Sequence, residues 1–303
     1  MASKTWIACA NNLSSINIFD MHAWLDKLGV ESLELKTAIL SKQLIENKND
    51  FQQLFYQKLA RAFGFGTNSQ AFEMMAGILP FSNIKKQLDN RLQLEAMLFG
   101  QAGMLNKQFK DKYPLALKRE FNFLSNKYSI KPMDIKLWKH MRLRPVNFPS
   151  IRISQFAALL EKMANDLLNI ISTKKLKTVK KILECEASEY WNNHFIFDKQ
   201  VNTSSPKKLG QSSINLILIN TIIPFLFTYG RQNNIIEYEE KAINWLEEIK
   251  PENNIIIRNF NKLGFKPDSA FHSQALYHLH KYYCTNKKCL ECRIGHILIA
   301  AGV

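Results

Sequence analysis

Apolar side chains recur every three to four positions along almost the whole of this 303-residue chain, the repeat of α-helices with one buried face. Trp24, Leu25, Leu28, Leu35, Ile39 and Leu44 keep that spacing after Asp20, a residue type that caps helix starts. Phe51, Leu54, Phe55, Leu59 and Phe63 keep it after Asp50, until Gly64-Phe65-Gly66 ends the run. A shorter helix is expected from Asn68 or Ser69 to Leu79, stopped by Pro80. Further helical runs are expected at about 83–101, 109–128, 133–142, 152–171, 174–184, 210–230, 237–249, 254–263 and 268–283. Alternating strand patterns and Asn-Gly or Asp-Gly hairpin signals are absent. The pattern predicts an all-α fold, a multi-helix globular array with short loops.

Two segments interrupt the rhythm. Arg144-Pro145-Val146-Asn147-Phe148-Pro149 has two prolines that exclude a continuous helix and force an extended or turned path. The stretch from Asp198 to Gly210 contains Thr203, Ser204, Ser205 and Pro206 and reads as a surface loop. It suggests a helical domain over 1–200 with a basic middle section, and a C-terminal helical subdomain over 201–303; the two also read as one continuous domain. No apolar leader follows Met1-Ala2-Ser3-Lys4-Thr5, so no signal peptide is expected. The most apolar run, Ile214 to Phe227, is broken by Asn215, Asn220, Thr221 and Pro224 and falls short of the ~20 residues of a membrane span. A buried core helix is expected there, and no membrane partner.

Charge is distributed unevenly. Lys and Arg total 41 against 26 Asp and Glu, and residues 81–182 alone hold 21 basic and seven acidic side chains. Such a surplus favours an anionic partner and says nothing about fold. Within it, Lys136, Trp138, Lys139, Arg142, Arg144 and Arg152 form the leading candidate for nucleic-acid contact. Arginine pairs bidentately with phosphate, and an aromatic ring stacks on bases. On a helix over 133–142, Trp138 and Arg142 would share a face. Lys174 and Lys175 open a second cluster that runs to Lys181 and reads equally as a solvated helix face.

Five cysteines at irregular spacing do not form a disulfide framework, which points to a reducing, cytoplasmic setting. Cys284, Cys289 and Cys292 are separated by four and then two residues. That spacing matches a ferredoxin-type ligand run, and thiolates also hold zinc, so an iron–sulfur cluster or zinc is the expected cofactor. No cysteine follows Cys292, so a fourth ligand must be Cys9, Cys185 or His296. No catalytic residues are assigned. Glu31 and Glu34 sit on an expected solvated face, His278 and His280 lack metal-ligand helical spacing, and Gly100-Gln101-Ala102-Gly103 lacks the strand of a dinucleotide site.

The chain also resembles a bacterial family known as domain of unknown function 2851. The resemblance is carried by Trp6-Ile7-Ala8-Cys9, Phe63-Gly64-Phe65, Leu98-Phe99-Gly100-Gln101-Ala102-Gly103, Leu137-Trp138-Lys139, Arg142-Leu143-Arg144-Pro145 and Asn147-Phe148-Pro149. It continues through Tyr190-Trp191, Pro224-Phe225-Leu226-Phe227, Ser273-Gln274-Ala275-Leu276 and the late cysteine run. The family implies no established activity. Its longer members resemble restriction-endonuclease-like folds in an N-terminal region that this chain is expected to lack. The resemblance favours Cys9 over Cys185 as the fourth ligand. Together these readings lead us to expect a nucleic-acid-binding accessory module of a nuclease-like or DNA/RNA-processing protein, the alternative being a non-enzymatic helical scaffold for a protein partner.

Overall fold

A computed structural model describes residues 6–163 and 167–301. Residues 1–5, where no signal peptide is expected, and residues 164–166 within the expected 152–171 helix, lie outside the described residues. The fold is all-α: helices account for nearly all regular structure. The one sheet among the described residues is a two-stranded antiparallel hairpin of His194–Ile196 and Lys199–Gln200.

Local sequence signals explain many helix limits. Asp50 caps the helix Phe51–Phe63, its side chain accepting from the Gln53 N–H at 3.0 Å. Leu54, Phe55, Leu59 and Phe63 are all buried on that helix. Asp20 does not cap the first helix, Ile18–Glu46; it lies in its first turn, while Asn17 accepts from Phe19 N at 2.9 Å. The expected 83–101 helix is divided into Phe81–Ile84, a 3₁₀ turn and Arg91–Gln101, which Asn90 caps through Gln93 N. The expected helix over 133–142 does not form; a single 3₁₀ turn, Ile135–Leu137, stands there.

The chain groups into two compact units, Met1–Lys42 with Ile223–Val303, and Gln43–Ile222. These limits differ from a linear division after residue 200. The reason lies in the apolar surface of the N-terminal segment. Leu13, Met21, Trp24, Leu25 and Leu28 share one core with Ile257, Phe260, Leu276, Leu279, Ile294 and Leu298 near the other end of the chain. The second unit has its own core, in which Tyr56, Phe63 and Phe72 surround Phe156 at ring separations of 5.1–6.4 Å.

The apolar run is longer than expected. Gln211–Asn233 is helical over 23 residues, long and apolar enough to cross a membrane, with 72% of its most apolar window buried. That burial suits a core helix. A π-helical turn, Leu218–Ile222, interrupts it.

Candidate metal centre and basic surface

A second π-helical segment, Leu279–Cys284, ends the helix Ala270–His278 and carries Tyr283 and Cys284. The chain then turns through Lys287 at φ 54° into a 3₁₀ turn, Cys289–Glu291. Cys292 is the N-cap of the last helix, Arg293–Ala300. Gly295 permits this path: a Cβ there would stand 2.0 Å from the Cys289 carbonyl oxygen. At the other end of the chain, Cys9 precedes the 3₁₀ turn Ala10–Ser15.

These elements bring four cysteines to one place. Cys9, Cys284, Cys289 and Cys292 line a cavity of about 160 Å³, with Tyr283 and Lys288 on its wall. All are free thiols. Burial raises Cys9 to about 11, and the neighbouring Cys292 and Cys289 add to the shift. Burial raises Cys284 to about 12, with Cys9, Cys292 and Cys289 acting in the same direction. Burial also raises Cys292, against the backbone at Gly295 and Ile294 and the nearby Trp24 indole, which favour its thiolate. The Trp24 indole N–H is buried and has no hydrogen-bond partner among the described residues.

The other candidates for fourth ligand are elsewhere. Cys185 lies in the Gln43–Ile222 unit, where its electrostatic neighbours are Lys162, Arg91 and Arg152. His296 is exposed and does not line the cavity. Among the described residues, no three His, Cys, Asp or Glu side chains are arranged to hold one metal ion.

An adjoining cavity of about 410 Å³ shares Tyr283 and Lys288 with the first. Here Glu31 is not simply solvated, as its helix face suggested. It accepts from Tyr283 Oη at 2.9 and 3.0 Å and faces His278 Nε2 at 3.2 Å. His280 points elsewhere and stacks on Trp6, ring centroids 4.6 Å apart.

The basic surface belongs to the Gln43–Ile222 unit. Its segment 131–148 is tied down by remote partners in place of helical hydrogen bonds. Gln101 Nε2 donates to the Lys131 carbonyl at 3.0 Å, and Met133 N donates to the Gln101 carbonyl at 2.9 Å. Trp138 Nε1 donates to the Ala102 carbonyl at 2.9 Å. The Asn68 side chain pairs with both backbone groups of Lys139, at 2.9 and 2.8 Å. Gly103, at φ 73°, allows this approach, because a Cβ would stand 2.2 Å from the Met133 carbonyl oxygen. The Gly-containing run 100–103 is thus a packing surface for the basic segment.

This path separates the sequence candidates. Lys136, Lys139, Arg142 and Arg144 are exposed, as are Lys174 and Lys175 just before the helix Leu176–Leu183. None of the six is in an ion pair among the described residues. Trp138 is only 5% exposed and packs edge-on against Phe72, so it is not available to stack on a base. Nor does it share a helical face with Arg142, whose φ is 63°. Arg152 is 7% exposed and donates to Asn147 Oδ1 at 2.6 Å and Gln155 Oε1 at 2.8 Å, over the Phe65 ring. It braces the proline-rich bend from inside.

Sequence reasoning placed Trp24 only on the apolar face of the first helix and gave Tyr283 no role at the thiol site. It also missed Glu95, a buried carboxylate in the apolar run 94–99 that accepts from Ser154, Ser188 and Tyr113 hydroxyls. A lone carboxylate inside that run was the available signal.

No curated protein and no solved structure matches the chain. A family model matches residues 1–255, a span that includes Cys9 and all six exposed cations and stops before the late cysteine trio. On that match the chain belongs to the family described as Protein of unknown function (DUF2851).

Proposed function

We propose that this protein is a nucleic-acid-binding module, an accessory part of a nuclease-like or DNA/RNA-processing protein in the cytoplasm. One observation carries this reading: Lys136, Lys139, Arg142 and Arg144 are exposed and, among the described residues, free of carboxylate partners on a segment whose backbone is fixed by Asn68, Gln101 and Ala102. A fixed backbone lowers the entropy cost of presenting cations to a phosphate chain. Buried Trp138 and Arg152 support the segment; the exposed cations make the contact. With Trp138 buried, the reading is one of phosphate contact by cations in place of stacking on bases.

A second reading has its own support. The same segment exposes Ile135, Leu137, Met141 and Val146, with Met141 83% exposed. Apolar groups beside cations also suit a protein partner, and a scaffold would use them. Binding of the full chain to duplex and single-stranded oligonucleotides across a salt series separates the two. Phosphate contact gives affinity that falls linearly in log–log form with salt, with a slope of roughly −0.9 per neutralised phosphate on duplex DNA. Absence of binding at low salt would contradict nucleic-acid contact and leave the scaffold reading.

A further inference from the structure

We propose that Cys9, Cys284, Cys289 and Cys292 together ligate an iron–sulfur cluster, with Cys185 and His296 outside the ligand set. This inference does not depend on nucleic-acid contact. It starts from convergence: one thiol near the start of the chain and three near its end line the same cavity of about 160 Å³. The N-terminal segment and the late helices share the core around them, so the convergence is part of the packing of this unit.

The geometry favours a cluster over a single ion. A tetrahedral zinc with Zn–S bonds of about 2.3 Å requires its sulfurs to lie within roughly 4 Å of one another. A cluster is an extended body whose irons take cysteine ligands at separate corners, so its four thiolates surround a volume. Here Cys9, Cys284, Cys289 and Cys292 line a cavity of about 160 Å³, more space than a single ion fills.

The surroundings are made for charged sulfur. The Trp24 indole N–H is buried with no hydrogen-bond partner among the described residues, and it lies near enough to Cys292 to favour charge on that sulfur. Backbone groups of Ile294 and Gly295, in the first turn of the last helix, act on the same sulfur. Donors to ligand sulfurs hold a cluster in place and tune it.

The experiment uses the full chain purified without oxygen, with iron, acid-labile sulfide and zinc quantified and the visible spectrum recorded. The expected result is a brown protein with iron and sulfide in matching amounts. Serine at position 9, 284, 289 or 292, one at a time, should abolish most of the colour and iron. C185S and H296A should keep both, which separates ligand loss from general damage. Should single variants fail to fold, analysis of the unaltered chain still decides. Zinc without sulfide overturns the proposal. So does folded, metal-free protein whose four thiols alkylate freely, or loss of iron in C185S.

Discussion

The unit made from the two ends of the chain holds 14 basic and 12 acidic side chains, whereas the unit over Gln43–Ile222 holds 27 and 14. In the first, several cations face acids: Arg293 pairs with Asp20 at 2.6 Å, and Arg231 lies between Glu239 and Glu34. In the second, the cations of segment 131–148 have no such partner among the described residues. Surplus like charge destabilises a compact state, so folding gives no reason to concentrate it in one unit. Anion contact does. On the two proposals made above, the thiol site falls in the unit where charge is balanced and phosphate contact in the unit where it is not.

The sharpest way to break this contrast is to remove what fixes the basic segment. Trp138→Ala deletes a buried ring, its contact with Phe72 and its hydrogen bond to Ala102, and should cost about 3–5 kcal/mol by denaturant unfolding. A loss below 1 kcal/mol would mean that the segment is not anchored as described. Arg152→Ala should act similarly but less strongly, about 2–3 kcal/mol, because it strands Asn147 and Gln155 as partners. If its main effect were on oligonucleotide affinity, with stability unchanged, Arg152 would belong with the contacting cations.

The thiol unit is expected to respond to alkaline pH. The folded-state values of Cys9 and Cys284 are raised from 9.0 to about 11 and about 12, so the folded metal-free protein holds these protons more tightly than the unfolded chain. Their contribution to stability is therefore full below pH 9.0 and is lost as pH rises through 11 to 12. Unfolding midpoints of metal-free protein across this range should fall, and C9S should flatten the decline. An unchanged slope in C9S would remove Cys9 from the coupled group.

The smallest effect concerns Glu95. Burial raises its carboxyl above 4.5, so its ionisation weakens folding as pH rises through that value toward the folded-state one. Glu95→Gln keeps acceptors for the Ser154 and Ser188 hydroxyls and removes the buried charge. Stability of the variant at neutral pH should equal or slightly exceed that of the unaltered chain. A clear loss would show that the ionised carboxylate itself is needed.

Regions governed by local rules were legible in the sequence. The run Phe51 to Phe63, with its Asp50 cap and terminal glycines, carries its periodicity, start and stop within a few residues, and it folds as read. Met133, Leu137 and Trp138 also have helical spacing, yet no helix forms. Partners 30 to 71 residues away claim that backbone, and a spacing pattern contains no record of them. The thiol site divides in the same way. The late trio is visible in the sequence as a spacing. Residues alone left Cys9, Cys185 and His296 equal, because the choice depends on which ends of the chain share a core.

The most direct measurement compares equal charge removal in the two units. One variant replaces Lys136, Lys139, Arg142 and Arg144 with Gln; the other replaces exposed Lys250, Arg258, Lys262 and Lys266. Both carry the same net charge, and both are titrated with duplex DNA across a salt series. The first should lose affinity and flatten the salt slope by roughly 3–4, the loss of about four phosphate contacts, while the second stays close to the unaltered protein. Equal losses in the two variants would contradict a defined contact surface and reduce the binding to net charge alone.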